Sequence, residues 1–333
     1  MKIGILTYWG VPNYGAWTQA YAFNRLLNKL YPNEEIKHIA YLEQSHWDNY
    51  YKKDKKGLNN FLYNWNEIPH TDIFSEAELE DYECDILITG SDSIWEEIIT
   101  GTYNPDCHLV GMCMPKCKKV IAYAPSAGIK LADNCIPLFM KEGFMNYSAI
   151  SVRDENTQLL VSNNIGILPE IVLDPSMLWE FSIDENVKGT SYKNYILVYG
   201  CSWDTTFIRH TVEFARQNKL TLISVGFINN WCDVNFKRIE LRGLEWIGMF
   251  RSATYVVTST FHGLMVGINL NKQIKFCQVD YVKNRSQTLI EILNIPNHKE
   301  DYYAEIDYCE VNSRLYSYKT KSIAWLINAI ENS

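Results

Sequence analysis

The 333-residue chain has no apolar run approaching the roughly 20 residues that a bilayer crossing needs. It has no surplus of basic charge either. Lys and Arg number 31 against 39 Asp and Glu, a formal net charge of -8. Binding to a nucleic-acid backbone needs a basic face that displaces counterions, so this balance argues against that class. It also argues against broad attraction to anionic lipid; the cluster Lys52, Lys53, Lys55 and Lys56 reads as a solvated loop. The nine Cys form no framework. Cys107, Cys113 and Cys117 are the one close group, without paired C-x-x-C spacing or a His in register, so no metal is expected there. No signal-peptide pattern is present, because Met1 leads straight into the apolar stretch Lys2–Tyr8. Free thiols in a reducing cytosol are the expectation. There is no solenoid-length repeat and no low-complexity tract.

What is present is the composition of a globular protein, 47% apolar and 21% charged, long enough for two domains. Aromatic residues reach 14%, with 22 Tyr and 10 Trp. Such rings either fill cores or cover the apolar faces of sugars. Short apolar runs alternate with amphipathic stretches, the pattern of an α/β protein. The first series of strands is expected at Lys2–Tyr8, Ile36–Tyr41, Ile86–Thr89, Lys119–Tyr123, Ala149–Val152 and Ile171–Leu173. The second is expected at Tyr195–Tyr199, Thr221–Ser224, Arg238–Leu241, Tyr255–Thr258 and Ile274–Phe276. Most are continuously apolar, as strands covered on both faces are. Helices are expected at Ala16–Tyr31, Thr205–Gln217, Gly243–Ser252 and Phe261–Asn269, with a last one at Ser313–Ile330. The boundaries are residues 1–185 and 190–333, the last helix going with the second domain. Residues 45–75 form an excursion or lid of weak periodicity.

In open parallel sheets, ligands sit outside the carboxyl ends of the strands. Gly10–Gly15 follows the first strand, Gly90–Trp95 the third and Ala124–Gly128 the fourth. These turns let backbone approach a ligand, and Asn13, Tyr14, Gly15, Ser91, Asp92 and Ser126 become candidate binding residues. Ser91 or Asp92 as a helix cap is the alternative. Arg153 stands after the fifth strand, where its fork suits a carboxylate or phosphate; the alternative is an ion pair with Asp154, Glu155 or Asp174. His262 follows Thr258-Ser259-Thr260-Phe261 at a helix start, whose positive end favours the neutral ring and so suits proton transfer. Capping or packing is its alternative role.

Taken in order, these pieces resemble the polysaccharide pyruvyl transferase family. The resemblance is carried by Lys2–Thr7, Asn13–Ala16, Gln19–Ala22, Gly90–Asp92 with Trp95, Tyr123–Ser126, Ser151–Arg153, Leu173–Pro175, Ser259–Gly263 and Asn284–Ser286. It implies two Rossmann-like domains facing across a cleft, similar to the B-type glycosyltransferases, with the site between them. It implies transfer of pyruvate from phosphoenolpyruvate, as co-substrate and without a cofactor, to a sugar, forming a ketal during capsule or other exopolysaccharide synthesis. Arg153 and His262 are then the residues expected to hold the donor and catalyse, with Asp92 a candidate base. Some members carry an Arg two residues before the His; Thr260 stands there in this chain, and Arg285 is expected to supply the missing charge from the next loop. The acceptor is a sugar or lipid-linked oligosaccharide, which implies a cytoplasmic protein in brief contact with the inner membrane face. A nucleotide-sugar glycosyltransferase and a non-catalytic glycan binder are the alternatives.

Overall fold

A computed structural model describes residues 1–41, 48, 52, 55–72, 76–96, 99, 107–237 and 239–332. Lys53 of the basic cluster and much of 42–54 lie outside the described residues. The chain divides into two compact units. The first comprises Met1–Trp179 with Tyr316–Ser333, the second Glu180–Leu315.

The first unit carries β1 (Lys2–Leu6), β2 (Glu35–His38), β3 (Ile86–Thr89), β4 (Lys119–Ala122), β5 (Ala149–Val152) and β6 (Glu170–Ile171). They form one parallel sheet in the order β2-β1-β3-β4-β5-β6. Ile3, Ile5, Leu87, Ile88 and Ile121 are fully buried, as strands covered on both faces require. Between β1 and β2 runs α1 (Tyr14–Leu30), which lays Ala20, Phe23 and Leu27 into the core. Next come α2 (Lys55–Trp65), the short α3 (Glu76–Leu79), α4 (Leu138–Phe144), α5 (Glu155–Ile165) and the one-turn α6 (Pro175–Leu178).

The second unit carries β7 (Tyr195–Tyr199), β8 (Thr221–Val225), β9 (Val234–Phe236), β10 (Tyr255–Thr258) and β11 (Gln273–Phe276). This sheet is also parallel, in the order β11-β10-β7-β8-β9. Its helices are α7 (Thr205–Asn218), α8 (Gly243–Ser252), α9 (Phe261–Asn269) and α10 (Asp280–Leu293). The chain ends in α11 (Tyr308–Asn332). Both units are Rossmann-like. No helix among the described residues is long and apolar enough to cross a membrane.

The structure departs from the sequence reading at β9, at α2 and at the end of α11. A strand expected at Arg238–Leu241 is instead β9, at Val234–Phe236; it is a half-buried edge strand and so carries no continuous apolar run. The expected excursion contains α2, whose Phe61 and Trp65 are buried. Trp17 Nε1 donates to Asn64 O at 3.0 Å and Trp65 packs against Trp9, so this part belongs to the core of the first unit. The carboxyl-terminal part of α11 belongs to the first unit and not the second. There Ser322 Oγ accepts from Leu173 N at 2.9 Å, Trp325 packs near Tyr123, and Lys119 Nζ donates to Ile330 O at 2.9 Å. Ser322→Ala leaves the buried Leu173 N–H without that acceptor. It is expected to cost about 1–3 kcal/mol of unfolding free energy, read as a lower urea midpoint.

Candidate functional site

Each sheet has one place where the chain reverses its direction of strand addition. In the first unit it lies between β1 and β3, in the second between β7 and β10. In open α/β sheets such a place is where ligands are held, beyond the carboxyl ends of the strands. The candidate residues gather around these two places.

In the first unit, Thr7 follows β1 and Gly90–Ser93 follows β3. Thr7 Oγ1 donates to Ser91 O at 3.1 Å and accepts from Gln19 Nε2 of α1 at 3.2 Å. Gly90 has φ +110°, and an added Cβ would collide with Tyr123 O, so only glycine fits. Asp92 is also left-handed, at φ 74°. The turn is stitched to the next one, because Ser126 N donates to Asp92 O at 2.9 Å.

Arg153, just after β5, is the centre of this cluster. Its side chain is only 1% exposed. NH1 donates to Asp174 Oδ2 at 2.8 Å and NH2 to Ser93 Oγ at 2.9 Å. The contact from NH2 to Asp92 Oδ1 is longer, at 3.4 Å. Burial alone would lower the guanidinium pKa; Asp92, Asp174 and Asp154 outweigh it and raise the value. Asp174 is saturated. Its Oδ2 also accepts from Ser91 Oγ at 2.9 Å, while Oδ1 accepts from Ser176 N and Oγ and so caps α6. Asp154 is occupied likewise, by Ser126 Oγ at 2.6 Å and by Thr157 N and Oγ1 in the first turn of α5.

Arg153, Ser91, Asp92 and Ser126 are therefore brought together, but the fork expected to take a donor anion is occupied by protein carboxylates. Asp174 was visible in the sequence as one of three ion-pair partners for Arg153 and within the Leu173–Pro175 segment of the family resemblance, but not as a charge centre. Asn13, Tyr14 and Gly15 lie at the start of α1. Asn13 Oδ1 caps that helix by accepting from Gly15 N at 2.8 Å and Ala16 N at 3.3 Å. Tyr14 is buried against Phe61.

In the second unit the switch point is built from hydroxyls. Thr258 Oγ1 donates to Tyr199 O at 2.7 Å and accepts from Thr260 N at 3.2 Å. Thr260 is the N-cap of α9 and accepts from Gly263 N at 3.1 Å. This accounts for Thr at the position where an Arg was expected: a threonine oxygen caps and a guanidinium cannot. A Cβ on Gly263 would run into Thr258 Oγ1 and stand 2.7 Å from Thr260 Oγ1, so the turn demands glycine. His262 is half-buried in the first turn of α9, its ring edge-on to Phe261. Arg285 lies within α10 and not in a loop; α10 packs beside α9. Its NH2 donates to Tyr281 O at 3.0 Å, and its guanidinium stacks on the Tyr281 ring at 4.2 Å.

Arg153→Met leaves buried carboxylates without their counter-ion. It is expected to destabilise the protein by about 3–5 kcal/mol. Chemical unfolding of Arg153→Met, Asp174→Leu and the double variant checks this: the double loses less than the sum of the singles.

Among solved structures, the chain is similar to a candidate UDP-N-acetylglucosamine 2-epimerase from Listeria monocytogenes, with 10% identity, TM-score 0.52 and coverage of 100% of this chain and 98% of that one. It is also similar to a Staphylococcus aureus MnaA–UDP structure, with 9% identity, TM-score 0.49 and coverage of 99% and 97%. The E. coli heptosyltransferase WaaC with ADP-2-deoxy-2-fluoro heptose gives 9% identity, TM-score 0.45 and coverage of 83% and 88%. At these identities the likeness concerns fold alone. No curated protein matches the sequence. A family model does match, over residues 13–274, a span that includes Gly90–Ser93, Arg153, Asp174 and Thr258–Gly263. The chain belongs to the polysaccharide pyruvyl transferase family.

Proposed function

We propose that this chain transfers the pyruvyl group of phosphoenolpyruvate to two hydroxyls of a sugar, closing a cyclic ketal and releasing phosphate. The observation that carries the reading is the family match, which spans both switch points. The chemistry needs a proton on the methylene carbon of the donor and stabilisation of an oxocarbenium-like centre. One sugar hydroxyl then adds to the central carbon and gives up its proton, the C–O bond to phosphate breaks, and a second hydroxyl adds to the same carbon, loses its proton and closes the ring. His262 is the proton-transfer group, supported by its place at the start of α9 and its partial exposure. Arg285 is the cation that pairs with the donor. Arg153 takes a different part from that of a free anion clamp. With Asp174 it sets the position of Ser91, Asp92 and Ser93, and it meets an anion only where Asp92, its most distant partner, gives way. Ser91, Asp92, Ser126, Thr260 and the Asn13–Gly15 turn are proposed to contact donor or acceptor, and a lipid-linked acceptor would bring the protein to a membrane surface.

A second reading, a non-catalytic glycan binder, is favoured by Thr260 acting as a cap in place of a cation and by the internal pairing of Arg153. Phosphate release from phosphoenolpyruvate with a panel of glycan acceptors separates the two; silence across the panel, with glycan binding retained, supports the binder. Thermal shifts with nucleotide-sugars but not with phosphoenolpyruvate would move the protein to glycosyl transfer. Under pyruvyl transfer, His262→Ala is expected to lose on the order of 10²-fold or more in turnover while its melting curve is retained. Arg285→Ala is expected to weaken donor binding at least about tenfold, the loss of a charge-assisted bond; unchanged affinity removes Arg285 from the site.

A further inference from the structure

The amino ends of β3 and β4, at the opposite edge of the first sheet from Gly90–Ser93, hold two cysteines. The register that pairs Ile86 with Lys119, and Glu83 with Lys116 just before the strands, sets Cys84 directly across from Cys117. Opposite residues of a parallel pair point to the same face, and neighbouring strands lie about 4.8 Å apart. That separation falls within the roughly 4.4–6.8 Å Cα span of a disulfide. The backbone is pinned around both residues. Cys84 N donates to Lys116 O at 3.0 Å, Lys116 N to Tyr82 O at 2.9 Å and Lys118 N to Asp85 O at 3.1 Å. Both cysteines are free thiols, and Cys117 packs against the buried apolar cluster that contains Cys84. Both line an open cleft of about 380 Å³ with Lys2, Glu83, Asp85, Lys116 and Lys118.

We propose that Cys84 and Cys117 are a modification site, a dithiol that a small disulfide such as oxidised glutathione converts reversibly into an intramolecular disulfide. The order of attack follows from exposure. Cys117 is half-buried and open to the cleft, whereas Cys84 is 9% exposed. The neighbouring Cys117 side chain, with burial, pushes the Cys84 thiol up, and Cys84 in turn holds Cys117 below its ordinary value. The Cys117 thiolate attacks one glutathione sulfur, and the other glutathione leaves as a thiolate. The Cys84 sulfur then attacks the Cys117 sulfur, its proton passing to the second departing glutathione thiolate. Two protein thiols are oxidised and one glutathione disulfide is reduced to two thiols. The bond closes the segment that contains Gly90–Ser93, so the oxidised protein resists unfolding more than the reduced one. The site is independent of the pyruvyl-transfer reading.

The test treats the full native chain with oxidised glutathione, blocks remaining thiols and maps non-reduced peptides by mass spectrometry. The expected result is a linked Cys84–Cys117 peptide, lighter by two hydrogens, that dithiothreitol reopens without unfolding the protein. Cys84→Ser is expected to accumulate glutathione on Cys117, whereas Cys117→Ser leaves Cys84 unmodified. Wild-type protein that retains glutathione on Cys117 with no linked peptide overturns the proposal. So does wild-type protein in which Cys113, Cys135, Cys201 and Cys309 react while the pair stays reduced. Both outcomes are read on wild-type chain and do not depend on the variants folding.

Discussion

The first unit depends on one buried guanidinium. Arg153 leaves water completely, and such a loss is tolerated only when its hydrogen-bonding groups and charge find fixed partners. Asp174 supplies the charge, and Asp174 is itself held by Ser91 and by the cap of α6. Through this centre the ends of β3, β5 and β6 are tied to one another. Ser91 O extends the tie to Thr7, and Thr7 extends it to α1 through Gln19. The conformation of the Gly90–Ser93 turn follows from these bonds, and a change to any of its partners moves the surface that a ligand would meet.

The two units build comparable switch points by different chemistry. The first is built with ions deep in the protein. The second uses threonine hydroxyls and a glycine that leaves room for them, and its helix start carries His262. The departure at Thr260 is intelligible in these terms. A residue that caps a helix cannot also project a guanidinium, so any cationic function has to come from another element, and Arg285 on the neighbouring α10 is the one proposed here.

Elements dominated by local patterning were legible in the sequence. The boundaries of β3, β5, β7, β10, α8 and α9 coincide with the apolar runs and periodic stripes read beforehand. β9 was not legible, because Val234-Asn235-Phe236 lies at a sheet edge and buries too little to leave a run. The role of α2 was hidden for a related reason: it is held by two large rings, Phe61 and Trp65, set among polar residues. At the candidate site the positions of Arg153 and His262 after their strands could be read, since a strand end is a local feature. What Arg153 pairs with could be read only as a choice between a ligand anion and Asp154, Glu155 or Asp174, with Asp92 not among them. Asp92 and Asp174 are 61 and 21 residues away in the chain, and nothing in the local pattern distinguishes a carboxylate of the protein from one on a ligand.

The late position of α11 has a consequence for biogenesis. Its residues from Tyr316 onward cover Leu173, Tyr123 and Lys119 of the first unit, yet they leave the ribosome after the whole of the second unit. The second unit therefore interrupts the first along the chain. Strict domain-by-domain maturation from the amino terminus cannot finish the first unit before the second has been made. Until residues 316 onward are made, the flank around Leu173, Tyr123 and Lys119 lacks its cover.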